Sequence, residues 1–104
     1  MSPNPTHKWY LIVDPEAKKV FDTLSSSEKR GVFRHLRQLL TADDPYSLHF
    51  IEMLKAKKFE RFRRFRVGDY RVFFIIEVGD VTYYKHTYKG TLYMLEIHDR
   101  KEAY

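Results

Sequence analysis

Arg64 and Arg66 stand two residues apart in a strand-forming stretch, so alternation puts their side chains on one face, and Arg71 follows across the Val67 to Tyr70 turn. In a tight hairpin these three guanidiniums would converge within reach of one phosphate. Guanidinium forks match phosphate oxygens and stay protonated near neutral pH, which suits them to the charge that develops in phosphoryl transfer. Arg61 and Arg63 have the opposite parity, and a bulge or slipped register would exchange which pair faces the cleft. A second group, His98 to Tyr104, offers an imidazole and a phenol, both able to move protons. Cationic surroundings would lower the pKa of either and make Tyr104 a better base, although a chain end is more often frayed than catalytic. His86 and His98 with nearby acids form a third group. Neither HxH nor HExxH spacing occurs and the five histidines are scattered, so no metal site is expected.

The charge distribution supports the first group. The chain carries +5 overall, yet the segment from Lys55 to Arg71 holds eight cations against two acids, +6, which leaves the remainder at −1. Lys55, Lys57, Lys58, Arg63 and Arg66 are interleaved with Phe59, Phe62, Phe65 and Tyr70. Cations neutralise phosphates and aromatic faces hold bases, so the segment suits a polyanion with stackable bases; the plainer reading is a solvated strand face over core aromatics. Tyr83, Tyr84, Tyr88 and Tyr93 are read chiefly as core or sheet surface, with base stacking the lesser alternative.

The elements that must position these residues follow from local patterns. At 104 residues the chain has room for one domain, residues 1–104, with one core, and residues 1–8 read as a flexible N-terminus. The absence of cysteine excludes disulfides, thiolate zinc sites and cysteine nucleophiles. The apolar runs are too short to cross a bilayer and no leader is evident, so a soluble cytoplasmic protein without a membrane partner is expected. Trp9 to Val13 reads as a strand, stopped by Asp14 and Pro15, which together cap and start a helix. Ala17, Val20, Phe21 and Leu24 give that helix one apolar stripe. Ser25 and Glu28 have capping-box spacing, and Val32, Phe33, Leu36, Leu39 and Leu40 form the stripe of a second helix ending before Asp43. Lys29, Arg30, Arg34 and Arg37 then fall on its solvated side. Residues 46–58 read equally as loop or short helical turn.

From Phe59 the period becomes that of strands, with breaks at Gly68 and Asp69, Gly79 and Asp80, and Lys89 and Gly90. The fold class is therefore α+β: an N-terminal strand and two-helix hairpin packed on an antiparallel meander of four strands. Tyr70 to Val78 is apolar at nearly every position and should be central, covered on both faces. Arg71 is its exception, and a partner in Glu77 or Asp69 is as open as a ligand role.

This element order, with FRVGDYRVFFIIE at 65–77 and IHDRKEAY at 97–104, resembles the RelE/ParE superfamily of bacterial and archaeal toxins from about Trp9 to Tyr104. Within it the chain looks most like the RelE-like messenger RNA interferases, metal-independent endoribonucleases that cut messenger RNA in the ribosomal A site and are neutralised by a cognate antitoxin. The resemblance implies that Arg71 contacts the scissile phosphate and that Arg64, with Arg66 or alternatively Arg63, assists it. It implies Tyr104 in base stacking or proton transfer. His98 stands where relatives often carry a late catalytic arginine, which leaves open whether His98 moves a proton or Arg100 supplies the cation. No cofactor is implied. The rivals on the same fold are a ParE-like inhibitor of DNA gyrase and a non-catalytic module that binds an antitoxin.

Overall fold

Among the described residues five strands form one mixed sheet, whose order places the last of them beside the first. The computed structural model describes residues 7–54 and 61–99. Strand β1 (Trp9–Val13) leads into helices α1 (Pro15–Thr23) and α2 (Ser26–Thr41), then a 3-10 turn at Pro45–Ser47 and a two-residue strand β2 (Glu52–Met53). Strands β3 (Arg63–Val67), β4 (Tyr70–Tyr83) and β5 (His86–Asp99) complete it. The sheet order is β1-β5-β4-β3-β2, with β1 parallel to β5 and every other pair antiparallel. No described helix is long and apolar enough to cross a membrane.

Short-range chemistry sets the N-terminal half. Asp14 caps α1, its carboxylate accepting from the Glu16 amide at 2.9 Å, with Pro15 in the first turn where no amide partner is needed. Ser25 and Glu28 make the reciprocal capping box of α2. The helices then bury Ala17, Leu24, Val32, Leu36, Leu39 and Leu40 against Phe65, Val72, Phe74, Leu92, Met94 and Ile97 from one face of the sheet. Phe33 departs from its expected place in the stripe: it is 58% exposed and packs edge-on to Phe21 at 5.2 Å. Trp9 is buried, and its indole donates to the Ala42 carbonyl at 2.8 Å, tying β1 to the end of α2.

The turns differ from those that composition suggests. Gly68, with φ +58°, opens the two-residue turn between β3 and β4, where a side chain would be strained. The other hairpin does not turn at Gly79. β4 runs on to Tyr83 and reverses at Tyr84 and Lys85, both left-handed at φ +49° and +66°, so the five-residue β3 and two 14-residue strands replace the expected four-strand meander. Gly79, with φ +149°, sits instead in a bulge in which two residues of β4 oppose Lys89 of β5. Gly90 is a packing position: a Cβ there would lie 2.1 Å from the Glu77 carbonyl and 2.8 Å from the Trp9 ring. β4 is central as expected, but only Val72 and Phe74 are fully buried, and its other face is half open. That open face carries Arg71 and Phe73.

Candidate functional site: a cleft on the open face of the sheet

Strand register brings the site together. Arg66, Arg71 and His98 are direct cross-strand neighbours on β3, β4 and β5, and Glu52, Arg64, Phe73 and Glu96 form the adjoining row from β2 to β5. Residues paired directly across a sheet share a face, so both rows project from the side away from the Phe65, Val72 and Phe74 core. Between Phe73 and Phe74 the register shifts by one because β5 carries an extra residue, Leu95. The shift lets Leu95 and Glu96 both line the cleft, while Met94 stays in the core.

The cleft has a volume of about 870 Å³. Arg64, Arg71 and His98 supply its basic side chains, Leu54, Phe62, Phe73 and Leu95 its apolar walls, and Asp14, Glu16 and Glu96 its acids. An open sheet face walled by aromatics and furnished with two guanidiniums and an imidazole can hold a base by stacking and a phosphate by charge. Glu52 organises the arginines. One of its oxygens accepts from Nε of both Arg64 and Arg66, each at 3.1 Å, and Arg64 keeps only 21% of its side chain exposed. Across the cleft, His98 Nε2 and the Glu96 carboxylate are 2.8 Å apart, and the Phe73 ring packs edge-on to the imidazole at 5.3 Å.

Of the residues singled out in the sequence, Arg64, Arg71 and His98 meet in the cleft, and Arg66 lies in the same row with its side chain 52% exposed. Arg63 goes elsewhere. Its parity turns it to the helix-packed face at the sheet's edge, where its guanidinium lies 4.4 Å over the Tyr46 ring and donates to the Phe62 carbonyl. It is therefore not placed to substitute for Arg64. Tyr46 is held in turn, its hydroxyl donating to the Arg61 carbonyl and accepting from the Ile76 amide, both at 3.0 Å. Glu77, one suggested partner for Arg71, meets Arg61 at 3.5 Å. Lys55, Lys57, Lys58, Arg100 and Tyr104 lie outside the described residues.

Glu52 and Glu96 were not singled out by sequence reasoning. Nothing in residues 46–58 announces a two-residue strand, whereas Glu96 could have been found from its i, i+2 spacing to His98 on a strand. No tyrosine among the described residues lines the cleft; Tyr10 packs on Tyr83 and Tyr88 at 5.3 and 5.4 Å, toward the tip of the β4–β5 hairpin. Among the described residues no cluster of three or more His, Cys, Asp or Glu is arranged to hold a metal ion.

No family sequence model matches the chain, and no curated protein sequence matches it. Solved structures do. A chain of the archaeal RelE–RelB complex from Pyrococcus horikoshii OT3 is similar over 92% of this chain and 99% of its own length, with a TM-score of 0.62 and 20% identity. A chain of the toxin-antitoxin complex RelBE2 from Mycobacterium tuberculosis is similar over 89% of this chain and 99% of its own, with a TM-score of 0.51 and 16% identity. Two helices packed on a five-stranded mixed sheet, similar along almost their whole length to chains of these complexes, are the RelE-like fold.

Proposed function

We propose that this chain is the toxin of a type II toxin-antitoxin system and acts as a ribosome-dependent endoribonuclease on messenger RNA. The observation that carries the reading is the convergence of Arg64, Arg71 and His98 on one aromatic-walled cleft. The complexes in which the similar chains were solved support a cognate antitoxin as partner; the ribosome and its messenger, met in the cytoplasm, are the further partners of the proposal.

In the proposed reaction the messenger's own 2′-hydroxyl attacks the adjacent phosphate. The O2′–P bond forms, the P–O5′ bond breaks, and a 2′,3′-cyclic phosphate and a 5′-hydroxyl result. Neither a metal nor a water molecule enters this step. Arg71 and Arg64 neutralise the charge that builds on the phosphate oxygens, and His98 takes the 2′ proton, with Tyr104 the alternative proton carrier. Phe62 and Phe73 offer faces for a base, and the ribosome aligns the RNA for in-line attack.

The test is primer extension on messenger held in ribosomes, comparing the wild type with Arg71→Ala. Cuts at A-site codons that vanish in the variant support the assignment. If neither protein cuts, the nuclease reading fails, and a supercoiling assay then decides whether gyrase is the target. One observation favours the binding-only alternative: Glu52 already compensates Arg64 and Arg66. Normal growth on strong expression without antitoxin would establish that alternative.

A further inference from the structure

We infer that Glu96 is a positioning residue for this reaction, holding the His98 imidazole in the tautomer that leaves Nδ1 free to accept the 2′-hydroxyl proton. The inference rests on the nuclease reading and adds a residue and a division of labour to it. Glu96 and His98 alternate onto the same face of β5, and the carboxylate lies 2.8 Å from Nε2. A carboxylate only accepts, so a neutral imidazole in this contact carries its proton on Nε2 and its lone pair on Nδ1. The Phe73 ring packs edge-on to the same imidazole at 5.3 Å.

When the 2′-hydroxyl attacks, its proton passes to Nδ1 and His98 becomes a cation. That cation forms directly across the strand pair from Arg71. The Glu96 carboxylate lies 2.8 Å from its Nε2, and Glu16 of α1, which shares a groove with Glu96 and His98, brings a second negative charge. Asp14 and Arg64 line the remaining sides of the cleft. The same proton can then go from Nδ1 to the departing O5′, which returns the imidazole to its starting tautomer.

Two measurements test this on the intact chain. Nitrogen-15 NMR of the histidines, free of any substrate, reports the tautomer of His98. The wild type should show the Nε2–H form, and Glu96→Ala should lose that preference. Single-turnover cleavage of ribosome-held messenger across pH gives the second readout. Glu96→Ala should cut about tenfold more slowly at neutral pH with unchanged half-saturation. His98→Gln should lose about 100-fold, and adding Glu96→Ala to it should lose nothing further. An Nδ1–H tautomer in the wild type overturns the inference. So does unchanged cutting by Glu96→Ala, or a further loss in the double variant. A wild type that cuts no messenger overturns the nuclease reading together with this one, whereas wild-type cutting that Glu96→Ala leaves intact removes only the role of Glu96.

Discussion

Replacing Arg64 with alanine separates the cleft's chemistry from the sheet's stability. Arg64 contributes one charge-assisted hydrogen bond to Glu52, at 3.1 Å, from a side chain 21% exposed. Its removal does not orphan the carboxylate, because the same Glu52 oxygen still accepts from Arg66 at 3.1 Å. A partly exposed pair of this kind is worth up to about 1 kcal/mol after solvent screening. A domain only about 5 kcal/mol stable would keep about 4, a folded to unfolded ratio of roughly 1,000 to 1. Unfolding would then remove about one molecule in a thousand from an assay. The effect on cleavage is of another order: losing one donor aimed at charge developing in a transition state costs about 100- to 1,000-fold, or about 2.7 to 4 kcal/mol. Urea unfolding and single-turnover cutting on ribosome-held messenger, measured on one preparation, should therefore diverge. Arg64→Lys should recover part of the rate, because it keeps the charge and loses the planar fork. Cleavage by Arg64→Ala within threefold of wild type would refute the reasoning, as would a stability loss large enough to account for the missing activity.

Gly90→Ala should destabilise the protein by about 3 kcal/mol in urea unfolding, because the new methyl group meets the Glu77 backbone carbonyl and must push β4 from β5. Lys85→Gly should do the opposite, gaining about 1 kcal/mol in the same assay, since residue 85 holds φ +66° where glycine is unstrained. For the pH dependence, burial, then Arg37 and His86, hold the His7 pKa below its ordinary value of 6.5. The unfolded chain then binds more protons than the folded one in the window below about 6.5, so the histidine's share of stability is present above that pH and is lost as pH falls through the lower, folded pKa. His7→Gln should flatten this part of the melting-temperature profile measured between pH 7.5 and 5.

The elements that local chemistry specifies were legible in the sequence. Asp14 with Pro15, and Ser25 with Glu28, act within one helical turn, and both caps form where their spacing indicates. The β4–β5 reversal was not legible. Tyr84 and Lys85 carry no turn signature and are held left-handed by the long strands on either side, while Gly79 and Gly90, which do look like turn signals, serve a bulge and a close approach to Trp9. In the cleft, period-2 alternation and the glycine turn were enough to bring Arg64, Arg66 and Arg71 to one face, and parity turned Arg63 away. Glu52 was hidden because β2 is only two residues long and exists through its pairing with β3. The half-open face of β4 was hidden too, since apolar composition says that a strand is central without saying which side is covered.

The parallel pairing of β1 with β5 joins Trp9 to Gly90, 81 positions apart. During synthesis β1 and both helices emerge long before the strand that lies between β1 and β4, and the sheet cannot close until β5 has been made. Contacts of such sequence separation place folding toward the slow end for a domain of this size. His98 is also among the last residues of that strand, so a chain stopped before residue 98 has neither the imidazole nor a complete β5. The cleft therefore cannot assemble until β5 has been made, and the order of the strands acts as a timer on it.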